Sequence, residues 1–262
     1  HVVRCFENED IIHVSGKVSP TDDIETINTE LALADLATAE KTYQKSLKNS
    51  KSGQKDGLPL KNLLERILPV LEDGGPVRSL VFNEEELRLL KALQLLTSKP
   101  VLYVANVDES GFYDNPLLTV VEQLAKTDRS QVVAICADIE AEIAELEEGD
   151  KQGFLAEMGQ QESGLDRLIF SGYALLGLQT YFTAGVKEVR AWTINIGDTA
   201  PIAAGKIHGD FEKGFIRAET VTFNDFVKFG GEKGAKDAGK LRSEGKEYVV
   251  KDGDVIHFLF NV

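Results

Sequence analysis

The sequence predicts an α/β protein: a parallel sheet interrupted by a helical insertion and followed by a smaller, strand-rich unit. Three observations carry this prediction. Two short apolar runs, Val101–Ala105 and Val132–Ala137, flank a helical segment at Leu117–Lys126, which is the pattern of parallel strands joined by a crossover helix. Residues 28–96 have helical periodicity almost throughout. From Gly177 onward the texture changes to extended segments separated by glycines.

Taken in order, His1–Phe6 (HVVRCF) reads as a strand with no cap or turn before it, as though the domain began upstream. Ile11–Val14 is a second short extended run, and Ser15-Gly16 and Ser19-Pro20 punctuate a loop. Thr21-Asp22-Asp23 opens a long helix, because a capping residue followed by acids suits the positive end of the helix dipole. Ile24, Ile27, Leu31, Ala34 and Leu36 supply its apolar spacing. Asn49–Gly57 is polar and reads as a tip. Leu58–Leu71 restarts the helix with Leu60, Leu63, Leu64, Ile67, Leu68 and Leu71 as its stripe, and Asn83 caps a third helix, Glu84–Leu96.

Residues 28–96 therefore read as an antiparallel helical hairpin, a coiled-coil-like arm. Lys41, Lys45, Lys48, Lys51 and Lys55 recur along it every three to four residues. Such a row is either a contact surface for a phosphate backbone or the solvated face of an exposed helix.

Beyond the second apolar run, Ile139–Leu146 is an acidic helix whose Glu140, Glu142 and Glu145, with the following Glu147 and Glu148, read as solvated. Gly153–Gly159 and Gly164–Leu176 are further helical pieces. The last unit shows extended runs at Thr180–Thr183, Val189–Ile194, Phe215–Val221, Tyr248–Val250 and Val255–Phe260. It also has a short helix near Ala203–Phe211 and a tight turn at Asp252-Gly253. Gly230–Lys240 (GGEKGAKDAGK) reads as a loop, so the unit is one helix against a sheet.

Composition bounds the function classes. The net charge of −14 argues against a general nucleic-acid coat. Residues from Gly177 on hold twelve basic and twelve acidic side chains, so the whole excess belongs to the first 176 residues. No apolar run approaches the roughly 18 residues of a membrane span, and no membrane partner is expected. Cys5 and Cys136 have neither metal spacing nor a pairing pattern, which suits a reducing, cytoplasmic setting. No HExxH, CxxC or Ser/His/Asp set occurs, and the four histidines are scattered, with His208 the most suggestive at a predicted helix end.

The chemistry concentrates on VLYVANVDE, Val101–Glu109. A buried strand ending in a polar Asn presents that side chain where ligands of open α/β sheets sit, beyond the carboxyl ends of the strands; the plainer reading is a core strand and an ordinary Asn/Asp turn. Two strands ending in NxxE and CAD, with a helix between, match the base-side half of a phosphate-loop nucleotide site. Guanine-selective loops read NKxD, in which the Asp accepts from guanine N1–H and N2–H₂ and the Lys stem covers the ring. Here Val107 replaces the Lys and Glu109 stands at the Asp position. Adenine, which donates from N6 and accepts at N1, is better suited to a backbone amide and carbonyl near Val107. No GxxxxGK[ST] loop is present to hold phosphates.

Five runs together resemble the Obg-like ATPases of the YchF type, a branch of the phosphate-loop GTPases. They are DDIETINTELALADL (Asp22–Leu36), the NxxE at Asn106–Glu109, LQTYFTAGVKEVRAWT (Leu178–Thr193), AAGKIHGDFEKGFIRAE (Ala203–Glu219) and KDGDVIHFLFNV (Lys251–Val262). The resemblance implies a nucleotide-binding domain over 1–27 and 97–176, an inserted coiled-coil arm over 28–96, and a TGS domain of β-grasp fold over 177–262. It implies ATP in preference to GTP, Mg²⁺, and association with ribosomes or ribosomal RNA, with no DNA partner. Asn106, Val107, Glu109, Cys136 and Ala137 are the implied base-side residues. The family's phosphate loop and magnesium ligands are expected before His1, so this chain by itself is expected not to hydrolyse ATP. A ribosome- or RNA-binding adaptor with a vestigial nucleotide site is the alternative.

Overall fold

Three short parallel strands, β1 (Val2–Arg4), β2 (Leu102–Asn106) and β3 (Gln131–Ile135), lie side by side in that order. The structure, a computed structural model, describes residues 1–14, 16–51 and 58–261, and of residues 49–51 the backbone only. The chain divides into two compact units, His1–Gly172 and Tyr173–Val262. In the first, β2 is the central strand, with Val104 opposite Val2 on one side and Val133 on the other. Its Tyr103 and Ala105 on one face and Val104 on the other are all buried, as a strand covered on both faces requires. Ile11–Val14, expected to be extended, is turn and irregular structure in which Ile12 and Val14 are exposed.

Helices α1 (Pro20–Lys51) and α2 (Leu58–Glu72), which follow β1 in the chain and precede β2, pack along each other. On α2 the buried residues are Leu63, Leu64, Ile67 and Leu71, a single helical stripe. The α1 stripe is rotated from the one its apolar residues suggest. Ala32, Asp35, Ala39 and Ser46 are buried, whereas Leu33 and Ala34 are exposed. Small side chains let α2 approach closely, and Asp35 is held by partners far along the chain. Its carboxylate accepts from Leu96 N (2.8 Å), Thr97 N (2.7 Å) and Thr97 Oγ1 (2.7 Å).

That anchorage depends on an early stop. Helix α3 (Glu84–Leu93) begins at a capping box, with Asn83 Oδ1 accepting from Glu86 N and Glu86 Oε2 accepting from Asn83 N. It ends at Gln94, whose φ of 54° is left-handed, so the chain leaves the helix there and the Leu96 and Thr97 amides reach Asp35. Three more helices complete the arrangement around β2 and β3: α4 (Pro116–Asp128), α5 (Ala137–Glu145) and α6 (Glu148–Glu157). Helix α7 (Gly164–Leu176) carries the chain into the second unit.

The second unit is a five-stranded sheet of β4 (Leu178–Ala184), β5 (Val189–Asn195), β6 (Phe215–Thr222), β7 (Arg242–Glu244) and β8 (Asp254–Phe260), ordered β5-β4-β8-β6-β7. The pair β4 and β8 is parallel, and the other pairs are antiparallel. More than one helix serves it. The predicted Ala203–Phe211 helix is two, α8 (Ala200–Ile207) and α9 (Gly209–Lys213), broken at His208, whose Nδ1 accepts from Asp210 N at 3.2 Å. His208 is thus a cap.

Helices α10 (Phe223–Lys228) and α11 (Glu232–Asp237) follow β6. The second lies inside GGEKGAKDAGK, read from sequence as a loop. Ala235 there is fully buried, and a Cβ on Gly234 would run into the Phe229 carbonyl, so only glycine permits that approach. Tyr248–Val250 makes one isolated bridge, Thr199–Val249, and is not a strand.

Candidate nucleotide-base site

Strands β2 and β3 run parallel in register, Asn106 opposite Ile135, so their carboxyl ends open onto adjacent loops. Two hydrogen bonds clasp those loops. Asn106 Oδ1 accepts from Ala137 N at 3.0 Å, and Val107 N donates to Ile135 O at 2.8 Å. The predicted Asn106 and Ala137 are therefore brought together. The Asn side chain spans from the end of one strand to the first residue of α5.

These bonds also change what each residue can offer. The amides of Val107 and Ala137, two of the expected base-side residues, are both already donating. The Val107 carbonyl remains as the backbone group able to accept from an exocyclic amine. The Val107 side chain is buried in the core and does not cover a ring as a Lys stem would. Cys136 is buried in the same core, which it shares with Ile139 and Ala105. The thiol of Cys5, also free, is pushed up to about 12 by burial and stays protonated. Glu109 is exposed at the loop rim, the one carboxylate of the predicted set free to reach outward.

Two residues that shape the site carried no signal in the motif. Asn115 caps α4, its Oδ1 accepting from Leu117 N (2.9 Å) and Leu118 N (3.2 Å). Its Nδ2 donates to Cys5 O (2.9 Å) and Gly111 O (3.1 Å). One amide side chain thereby joins the end of β1, the NVDE loop and α4. A Cβ at Gly111 would crowd Asp108 Oδ1 at 2.7 Å, Asn115 Nδ2 at 3.0 Å and Val107 Cβ at 3.1 Å, so any side chain there would have to shift the Asp108 and Asn115 side chains.

Glu140, grouped by sequence with solvated acids, instead receives Gly164 N (2.7 Å) and Leu165 N (3.1 Å), capping α7 and tying it to α5. An N-cap motif at the start of a helix could have found Asn115. Nothing local could have found Glu140, whose partners lie 24 and 25 residues away.

A separate cavity of about 460 Å³ lies against β3, lined by Phe112, Tyr113, Ala134, Gln160, Arg167 and Phe170 among others, and none of the five predicted base-side residues borders it. Lys41, Lys45 and Lys48 lie along α1 and enter no ion pair among the described residues. Lys55 and the Lys51 side chain lie outside the described residues.

A family model described as YchF-GTPase_C, protein of unknown function (DUF933), matches residues 178–261. The chain is 59% identical over 262 residues to the ribosome-binding ATPase YchF of Haemophilus ducreyi, covering all of this chain and 72% of that protein. It is 58% identical over 262 residues to the protein of the same name from Escherichia coli O157:H7, and 55% identical over 265 residues to that of Bacillus subtilis, again with 100% and 72% coverage. Among solved structures, the YchF GTPase of Schizosaccharomyces pombe superposes with a TM-score of 0.82 at 31% identity, over 98% of this chain and 71% of that one.

Proposed function

The chain belongs to the YchF family, and on that premise we propose that it works in a cytoplasmic, ribosome-binding ATPase in which Asn106, Val107, Glu109, Cys136 and Ala137 form the base-reading side of an adenine-nucleotide site. The observation that carries this reading is the 3.0 Å bond from Ala137 N to Asn106 Oδ1, which holds two loops together beyond the carboxyl ends of adjacent parallel strands. Asn106 and Ala137 act by fixing the loops, and Cys136 acts by packing beneath them. The Val107 carbonyl accepts from adenine N6, where the O6 acceptor of guanine would meet it oxygen to oxygen. Glu109, one methylene longer than the Asp of NKxD, stands at the rim.

ATP hydrolysis requires Mg²⁺ held against the phosphates. Among the described residues no three carboxylate, imidazole or thiol donors gather at these loops: Asp108 is tied to Ser110 at 3.2 Å, Glu140 caps α7, and Glu109 is exposed at the rim. No step of phosphoryl transfer is derived from them, and these residues read a base.

The helical pair α1–α2 is read as the family's coiled-coil arm, over residues 28–96 between the two parts of the nucleotide-binding domain, 1–27 and 97–176. Its Lys41, Lys45 and Lys48 suit contact with ribosomal RNA. Residues 177–262 are read as a TGS domain. The strand order β5-β4-β8-β6-β7 supports this, since the first and last strands lie parallel at the centre as in a β-grasp.

The test is a pair of affinities, ATP and GTP with Mg²⁺, on the protein and on Asn106→Ala. ATP is expected to bind at least tenfold tighter, about 1.4 kcal/mol, and Asn106→Ala to weaken ATP while the fold is kept. Equal or GTP-favouring affinities would overturn the base reading. Ribosome binding with no nucleotide binding at all would favour the adaptor.

A further inference from the structure

In the second unit, β6 and β8 place Glu219 directly opposite His257. Cross-strand partners project from the same face of an antiparallel pair. Glu232, the first residue of α11, reaches the same spot from a third element. One ligand atom from each residue, two carboxylate oxygens and one imidazole nitrogen, lie within 4.8 Å of one another.

These donors converge without satisfying each other. His257 Nδ1 stands 3.8 Å from Glu232 Oε2, beyond hydrogen-bond length. An ion about 2.0–2.2 Å from each would draw them to the separations that coordination requires. The same three residues, with Val221 and Val255 among others, bound a cavity of about 10 Å³. This is room for about one water-sized species. Arg217 Nη2, 3.3 Å from Glu219 Oε1, orients that carboxylate from the side and offsets part of its charge.

We propose that Glu219, Glu232 and His257 form a divalent-cation site, with water completing the coordination. An imidazole between two carboxylates favours a first-row transition ion such as Zn²⁺ over Mg²⁺ or Ca²⁺, which take oxygen donors. Bound there, the ion ties the start of α11 to the β6–β8 ladder, so occupancy stabilises this unit. The site is separate from nucleotide chemistry and does not depend on the base reading.

Calorimetric titration of the protein with ZnCl₂ tests it, in parallel with His257→Ala, Glu232→Gln and, as a control for other surface imidazoles, His208→Ala. His257 and Glu232 have exposed side chains, and thermal melts without metal verify that each variant folds. One equivalent is expected to bind to the protein and to His208→Ala, at least tenfold more weakly to His257→Ala and Glu232→Gln, and to resist displacement by millimolar Mg²⁺. Zn²⁺ is also expected to raise Tm in the protein but not in His257→Ala. Zn²⁺ affinity unchanged in both site variants, or no saturable binding to the protein, would overturn the proposal.

Discussion

Among the described residues each of the two units buries one aspartate, and the two carboxylates are satisfied in opposite ways. Asp35 in α1 is 3% exposed, and its three donors are two backbone amides and a hydroxyl, 61 and 62 residues away. Thr97 Oγ1 in turn accepts from Val77 N at 3.1 Å, so the network closes the long helical excursion onto its own base. Asp254 in β8 is 1% exposed, and its partners are local: Tyr248 OH (2.7 Å), Lys251 N (3.0 Å) and the Arg242 guanidinium (3.4 Å), none more than 12 residues away. One carboxylate is held by neutral dipoles fixed in place by the fold. The other is held by a phenol, an amide and a cation that is 38% exposed. A long-range closure strands its partners when broken, whereas a local, half-solvated cluster can rearrange.

The sharpest test of that contrast is to remove each carboxylate. Asp35→Ala leaves two amides and a hydroxyl without an acceptor in the interior, and is expected to cost about 4 kcal/mol. Asp254→Ala lets Arg242 turn to solvent and is expected to cost about 2 kcal/mol. Chemical denaturation with probes in each unit checks this. Equal losses would mean that the distance of the partners does not matter.

Two tyrosines carry the comparison into pH. Tyr103 donates to Asp128 Oδ2 at 2.9 Å in the first unit, and Tyr248 donates to Asp254 Oδ2 at 2.7 Å in the second. Burial foremost, then the carboxylate partner, pushes each up to about 12. The folded value lies above the unfolded one, near 10, so the folded state retains the proton longer. The stabilisation is complete below about pH 10 and is lost as pH rises through about 12. Both units are expected to weaken together in that window. Absorbance titration should show Tyr103 and Tyr248 ionising late, and Tyr103→Phe or Tyr248→Phe should flatten the alkaline loss in its own unit only.

The smallest effect is expected at Thr220, fully buried on β6 with no partner for its Oγ1 among the described residues. Thr220→Val replaces an unsatisfied hydroxyl by a methyl of similar shape. It is expected to be neutral or to raise stability by up to about 1 kcal/mol, as thermal unfolding would show. A loss larger than that would mean the hydroxyl has a bound partner, and that the second unit's polar interior is tied more widely than its local aspartate cluster indicates.

Much of the fold was legible because it is written in local periodicity. The α2 stripe from Leu63 to Leu71, the Asn83 cap, the β2 and β3 runs and the extended segments around β4, β5, β6 and β8 all follow from side-chain spacing and capping chemistry. The NxxE and CAD strand ends could be picked out for the same reason.

What spacing cannot encode is the far partner. The buried face of α1 was decided by Asp35 meeting residues 96–97, and the role of Glu140 by the approach of α7. The Val107 amide was committed by pairing with Ile135, so that of the amide and carbonyl expected there only the carbonyl is left. Helix α11 formed in a glycine-rich stretch because Ala235 found a core and Gly234 could lie against the Phe229 carbonyl. Sequence alone therefore determined which segments are helix or strand wherever one face repeats. Only tertiary structure decided which polar atoms remain free for a ligand, because a hydrogen bond across 30 or 60 residues leaves no periodic trace.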